Sequence, residues 1–151
     1  MDDPAEAAYE KGVELLARRE HGAEELQAKL TRKGYEPEAV RDALGRLVEQ
    51  GYLSDGRFAE AFARQRIERG QGPVRIRAEL GQRGIDDALA ERAMAAHAPD
   101  WAAMAREARA HRFGDDPPAS AKDRARQLRF LAQRGFTAEQ ARAALGGTED
   151  D

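Results

Sequence analysis

The chain contains no cysteine. Disulfides, thiolate nucleophiles and cysteine-ligated zinc are therefore excluded. Serine occurs only as Ser54 and Ser120, both at predicted helix starts, where capping accounts for them. The three histidines, His21, His97 and His111, are far apart, and none has another histidine one helical turn away. They read as solvated or helix-terminal side chains, so neither a metal site nor a nucleophile–base pair can be assembled. Gly70-Gln71-Gly72 lacks the third glycine, the preceding strand and the Lys-Ser/Thr of a phosphate loop, and no nucleotide cofactor is expected. Paired acids such as Asp86-Asp87 and Asp115-Asp116 fall at helix starts or turns, where dipole and turn roles suffice. No apolar run approaches the roughly 18 residues of a membrane span. The acidic start Met1-Asp2-Asp3-Pro4 has none of the apolar character of a signal peptide. A soluble, cytoplasmic protein without catalytic residues, metal or cofactor is the expectation.

What the chain has is charge and helix-forming residues. Its 151 residues include 28 acids and 25 bases, net −3, and the bases are 21 Arg against 4 Lys. A near-neutral total excludes coating of nucleic acid by bulk charge, but leaves local basic patches open. Guanidinium is a planar fork suited to carboxylate or phosphate. Ala, Arg, Glu, Leu and Gln dominate while Thr, Ile and Val are scarce, which favours helix throughout. Pro37, Ser54-Asp55, Gly70-Gln71-Gly72-Pro73, Asp115-Asp116-Pro117-Pro118 and the capping box Thr137-Ala138-Glu139-Gln140 divide the chain. The punctuation predicts nine helices, at 5–19, 23–33, 37–50, 55–70, 73–83, 86–97, 100–112, 119–134 and 137–146.

The nine form three copies of one pattern. Lys33-Gly34-Tyr35, Arg83-Gly84-Ile85 and Arg134-Gly135-Phe136 each place a base, a glycine and a large apolar residue between two helices. Leu30, Leu80 and Leu131 precede these glycines by four positions; Leu44, Met94 and Leu145 follow by ten. Such a period indicates a tandem three-helix unit. At each junction Gly34, Gly84 or Gly135 is predicted to turn left-handed, with the next apolar residue packing back on the preceding helix. Gln127 falls where Leu26 and Ile76 stand in the other copies, so the third unit is expected to pack differently. In the first unit Tyr9, Val13, Leu16, Leu26, Leu30, Tyr35, Val40, Leu44 and Leu47 form the predicted core. Units this small are marginal alone. The predicted fold is all-α: three tandem three-helix repeats, at 1–52, 53–98 and 99–151, in an elongated, curved array whose units lean on one another or move about their junctions.

Charge is unevenly spread. Residues 1–52 carry 12 acids and 8 bases; Arg57 to Arg83 hold seven Arg and three Glu; Arg106 to Arg134 hold eight bases and four acids. The acidic tail Glu149-Asp150-Asp151 closes the chain. Solvated helices need charges in any case, and Glu60, Arg64 and Glu68 are spaced for pairing along one helix. Arg66 and Arg69, however, share the wheel face of Phe58 and Phe62, where an unpaired charge is costly. Arg66 is expected to pair internally with Glu79 or Asp55, its stem on Phe62, rather than present its fork to a partner. Arg69, at the helix end, is expected to be exposed.

The run Gly51-Tyr52-Leu53-Ser54-Asp55-Gly56-Arg57-Phe58-Ala59, then Arg64, Arg66 and Arg69-Gly70-Gln71-Gly72-Pro73-Val74-Arg75-Ile76-Arg77-Ala78-Glu79-Leu80-Gly81-Gln82-Arg83-Gly84-Ile85, closely resembles the centre of the bacterial regulatory protein RecX family. Leu15-Leu16-Ala17-Arg18-Arg19-Glu20-His21 with Glu25-Leu26 and Lys29-Leu30 resembles its first unit, and Arg129-Phe130-Leu131-Ala132-Gln133-Arg134-Gly135-Phe136 its last. Two departures stand out. Ser54 replaces the first of an acidic pair, leaving Asp55 as cap, and Gly22 replaces a frequent serine, so the second helix should start slightly less well capped. The resemblance implies a modulator of the RecA recombinase, usually an inhibitor, built of tandem three-helix repeats that lodge in the groove of the RecA filament. It implies suppression of ATP hydrolysis, strand exchange and co-protease activity, in recombination, DNA repair and the SOS response. Some such proteins bind DNA. From charge and motif position, the expected contacts to filament or DNA backbone are Arg57, Arg64, Arg69, Arg75 and Arg77, with Arg124, Arg126 and Arg129 secondary. Single- or double-stranded DNA is a second expected ligand, and a monomer is expected. Two other readings stay open: a direct DNA-binding module of helix-turn-helix type, and a helical scaffold for other proteins.

Overall fold

The computed structural model describes residues 3–146. The expectations for Met1-Asp2 and for the acidic tail Glu149-Asp150-Asp151 lie outside these described residues. Among them are nine helices and no strand: α1 Pro4–Arg18, α2 Ala23–Arg32, α3 Pro37–Glu49, α4 Asp55–Glu68, α5 Pro73–Gln82, α6 Asp87–Ala95, α7 Trp101–Phe113, α8 Ala121–Arg134 and α9 Ala138–Ala144. Thr137 and Gln140 form the capping box of α9, and the Ser120 side chain accepts from the Asp123 N–H. Ser54 Oγ likewise accepts the Arg57 N–H at 3.1 Å.

This last bond corrects the assignment of Asp55. With Ser54 capping α4, the Asp55 carboxylate is free to accept the Ala23 N–H at 2.8 Å, the first donor of α2. Gly22 itself supplies no cap. A side chain there would stand 3.2 Å from the Phe58 ring. The helix is therefore capped from α4, and a small residue at Gly22 lets that helix approach.

The three repeat junctions share one backbone device. Gly34, Gly84 and Gly135 have φ of 99°, 84° and 104°. The next residue donates to the carbonyl five positions earlier: Tyr35 to Leu30 at 3.3 Å, Ile85 to Leu80 at 3.0 Å, Phe136 to Leu131 at 3.1 Å. These bonds satisfy helix-end carbonyls and reverse the chain, at a φ that costs any residue with a Cβ. Leu30, Leu80 and Leu131 are fully buried.

The chain resolves into two compact units that do not follow the repeats. The first comprises residues 1–62 and 80–93, the second 63–79 and 94–151, so α4 and α5 each contribute to both. The core of the first unit includes Leu15, Leu26, Leu30, Val40, Leu47 and Leu53. Leu15 takes the central place that the pattern gave to Leu16, which packs at the periphery. His21 is 1% exposed, contrary to its reading as a solvated side chain. Its Nδ1 lies 3.1 Å from the Arg19 carbonyl and its Nε2 2.9 Å from Lys29 Nζ. The neutral tautomer that donates from Nδ1 and accepts at Nε2 satisfies both contacts.

The second unit packs Ala105, Leu131, Phe136, Ala141, Ala144 and Leu145. Gln127, the polar exception to the repeat, is buried and accepts from Arg109 Nε at 2.8 Å. Arg109, also buried, donates from Nη2 to the Asp116 carbonyl, and Gln127 Nε2 donates to Asp123 at 3.2 Å. The third repeat thus replaces an apolar contact by a satisfied polar chain.

Each unit has a close approach at a junction glycine. In the second, the Gly72 N–H donates to the Arg134 carbonyl at 2.8 Å and the Val74 N–H to the Gly135 carbonyl at 2.9 Å. The unpaired donors at the start of α5 are satisfied by the end of α8. A Cβ on Gly72 would lie 2.4 Å from the Gly135 carbonyl carbon, and one on Gly135 would lie 2.5 Å from Arg75 Cβ. In the first unit, the Glu24 side chain of α2 packs against Gly84, where a Cβ would lie 2.4 Å from its carboxyl carbon.

Two outcomes follow for stability. Gly72→Ala forces backbone against backbone and should cost about 1–3 kcal/mol in a denaturant titration. For His21, burial disfavours the imidazolium and lowers the pKa. As pH falls, the unfolded chain binds the proton first, so the contribution of His21 is present above about pH 6.5 and lost below it. The melting temperature should drop between about pH 7 and 5.5, and His21→Gln, which still offers Lys29 an acceptor, should flatten that drop.

Candidate functional site

The division into units sorts the charge. Within residues 3–146 the first unit carries 11 bases and 16 acids, net −5, and the second 14 bases and 8 acids, net +6. Seven of the eight arginines expected to meet a partner belong to the basic unit. The exception is Arg57. Its Nε donates to Glu20 at 2.9 Å, and its Nη2 to the carbonyls of Gly51 at 2.7 Å and Tyr52 at 3.1 Å. That fork is occupied in holding the turn after α3.

In the basic unit, Arg64 is exposed and pairs along α4 with Glu68 at 3.4 Å. Such a solvated pair is weak and leaves the guanidinium available. Arg66, half-buried, lies 3.5 Å from Glu79, and Arg75 lies 3.3 Å from the other oxygen of the same carboxylate. The Glu79 carboxylate thus sits between two bases, one on α4 and one on its own helix α5. Asp55 takes no part, being engaged at α2. Arg69 is exposed beyond the end of α4, beside a shallow cleft whose lining includes Ile67, Glu68, Met104, Glu107, His111 and Arg134. Arg77 is half-buried.

On α8, Arg124 is half-buried and Arg129 exposed. Arg126 pairs with Asp123 at 2.8 Å and lies over the Phe113 ring, 4.9 Å from its centroid. Arg112 stacks on the same ring at 5.2 Å, and Phe113 meets Phe130 edge to face at 5.3 Å. Guanidinium on aromatic surface is held in place while its edge still faces water.

Sequence reasoning passed over two contributors to this surface. Arg134 was legible only as the base preceding a glycine, yet its Nη2 donates to the carbonyls of Arg69 at 3.0 Å and Gly70 at 3.4 Å. It closes the end of α4, where a cation is favoured by the dipole. Arg112 has no sequence signal apart from the phenylalanine beside it. Among the described residues no group of three or more acidic or histidine side chains is arranged to hold a metal ion, and no helix is long and apolar enough to cross a membrane.

Models of three successive three-helix domains of RecX match residues 8–47, 54–94 and 98–145. The regulatory protein RecX of Halorhodospira halophila is 48% identical over 97% of this chain and 91% of its own. The chain belongs to the RecX family. The regulatory protein RecX of Chromohalobacter salexigens is 47% identical, covering 88% of this chain and 87% of its own. The crystal structure of RecX from Lactobacillus salivarius has the same fold, with a TM-score of 0.80 at 20% identity over 97% of both chains. A second crystal structure of a regulatory protein RecX gives 0.82 at 21% identity, covering 95% of this chain and 72% of that one.

Seen in these terms, the second RecX domain is the one whose helices α4 and α5 contribute to both compact units. Of the expected arginines, Arg57, Arg64, Arg69, Arg75 and Arg77 belong to that domain, and Arg124, Arg126 and Arg129 to the third. Replacing Arg66 by Ala removes the arginine of α4 that pairs with Glu79. The loss should be about 1–2 kcal/mol by thermal or chemical denaturation. An unchanged transition would rule out a structural role for the pair.

Proposed function

We propose that this protein regulates the RecA recombinase by binding its filament and inhibiting ATP hydrolysis, strand exchange and co-protease activity, and so restrains recombination, DNA repair and the SOS response in the cytoplasm. Support comes first from RecX relationship across nearly the whole chain. The structural observation that carries the reading is the sorting of charge into a unit of net +6. Its exposed guanidiniums on α4, α5 and α8 suit carboxylates of a protein surface or phosphates of the bound strand. Arg64, Arg69, Arg75, Arg77, Arg124, Arg126 and Arg129 form the proposed contact surface, and Arg57 is assigned to holding its own turn. The protein acts as a monomer in this reading, and the DNA backbone within the filament is a second ligand for the same arginines.

ATP hydrolysis by RecA on single-stranded DNA, titrated with this protein, tests the proposal. Hydrolysis should fall as the protein is added. Arg69→Glu combined with Arg75→Glu, with folding checked by circular dichroism, should raise the half-inhibitory concentration about tenfold or more. Undiminished hydrolysis with the unmodified protein would overturn the function; full inhibition by the variant would remove these arginines from the surface. Steeply salt-dependent binding to DNA without RecA would instead favour direct DNA recognition.

A further inference from the structure

The acidic unit has an uncovered face of its own. Glu38, Arg41, Asp42, Gly45, Val48 and Glu49 form an open face along the outside of α3. Arg46 also borders it, but its guanidinium is drawn away to Glu6 at 2.9 Å and to the Tyr9 ring at 3.9 Å.

Three independent observations concern this face. The first is apolar exposure. Val48 is 55% and Tyr52 49% exposed, among the few large hydrophobic side chains so placed in the described residues. Tyr52 follows Gly51 in the same left-handed turn found at the repeat junctions, with φ of 83° and a Tyr52 N–H bond to the Leu47 carbonyl at 2.9 Å. At Gly84 and Gly135 the residue after the glycine is 3% exposed. Here Leu53 takes the buried place, at 2%, and the tyrosine ring is left outside.

The second observation is Gly45. It lies in the interior of α3, and a Cβ added there would meet nothing within 4 Å. Glycine in a helix interior costs about 1 kcal/mol relative to alanine. At Gly12, by contrast, a Cβ would press on Leu47 at 2.6 Å, so that glycine serves internal packing. Nothing inside the molecule gives Gly45 such a reason. A bare stretch of helix backbone beside exposed Val48 accommodates a bulky group from outside.

The third is charge. Glu38, Asp42 and Glu49 lie along this face with Arg41, Arg46 being paired to Glu6, on a unit of net −5. An apolar seat with an acidic rim selects a basic segment and disfavours nucleic acid.

We propose that the α3 face docks a basic segment of a partner protein, with a bulky apolar side chain seated on Gly45 beside Val48, and lysines or arginines against Glu38, Asp42 and Glu49. The proposal does not rest on RecA as partner and uses none of the arginines assigned above.

A synthetic amphipathic helix of lysine and leucine is the probe, and the same peptide with serine in place of leucine is the control. Binding to the intact protein is measured by calorimetry at physiological salt. Gly45→Trp blocks the seat and Val48→Ser removes its apolar contact. Both positions are open to solvent, and unchanged circular dichroism verifies the fold. The expected result is binding of the leucine peptide, weakened about tenfold by either substitution and by the serine control. Absence of binding to the unmodified protein, or equal binding by protein and variants, would overturn the proposal. Neither result bears on inhibition of RecA hydrolysis, so the two readings fail separately.

Discussion

The close approach of α5 to the end of α8 is the constraint on which the basic unit depends. Peptide groups at Gly72 and Val74 pair with those at Arg134 and Gly135, and a side chain at either glycine would stand within 2.5 Å of its neighbour. Backbone contact of this kind satisfies donors that a helix start otherwise leaves to water. It also fixes the heading of α5, and with it the separation of Arg75 from Arg66 across Glu79. The acidic unit has another close approach at a junction glycine, with the Glu24 side chain packed against Gly84. Because each joint ties an outer repeat to part of the middle one, compactness does not follow the repeat boundaries.

Much of this architecture is written locally. Pro37 and Pro73 open their helices as first-turn prolines, Ser120 and Thr137 cap theirs, and the glycine–apolar pairs at Gly34, Gly84 and Gly135 encode turns through a φ that side chains avoid. What local pattern does not carry is the partner of each residue. Asp55 reads as a cap for its own helix, and only the packed fold brings it to Ala23. His21 is polar and adjoins a turn, yet it is buried because Lys29 and the Arg19 carbonyl happen to meet its two nitrogens. Leu15 and Leu16 are adjacent, and a shift of one position around the helix decides which is central.

The candidate surface was legible to a similar degree. Arginine-rich segments and their motif positions pick out most of the basic unit, since exposed charge is visible in sequence wherever apolar periodicity is broken. Arg57 escapes that logic, because its three acceptors include two backbone carbonyls that no composition reveals. Arg134 and Arg112 escape it for the opposite reason. Each is one base among many, and its placement comes from a tertiary neighbour, the end of α4 in one case and the Phe113 ring in the other.

The polar chain of the third repeat constrains inheritance as well as packing. Arg109 and Gln127 are both buried, and each satisfies the other. Leucine at Gln127 alone would take the acceptor from Arg109 Nε, leaving Nη2 on the Asp116 carbonyl. An apolar residue at Arg109 alone would take the donor from Gln127 Oε1, leaving Nε2 on Asp123. Either change alone leaves one buried polar atom without its partner, so the two positions are energetically coupled. The pair is expected to behave as a single hereditary character, and relatives should sort into lineages that have both polar partners or neither.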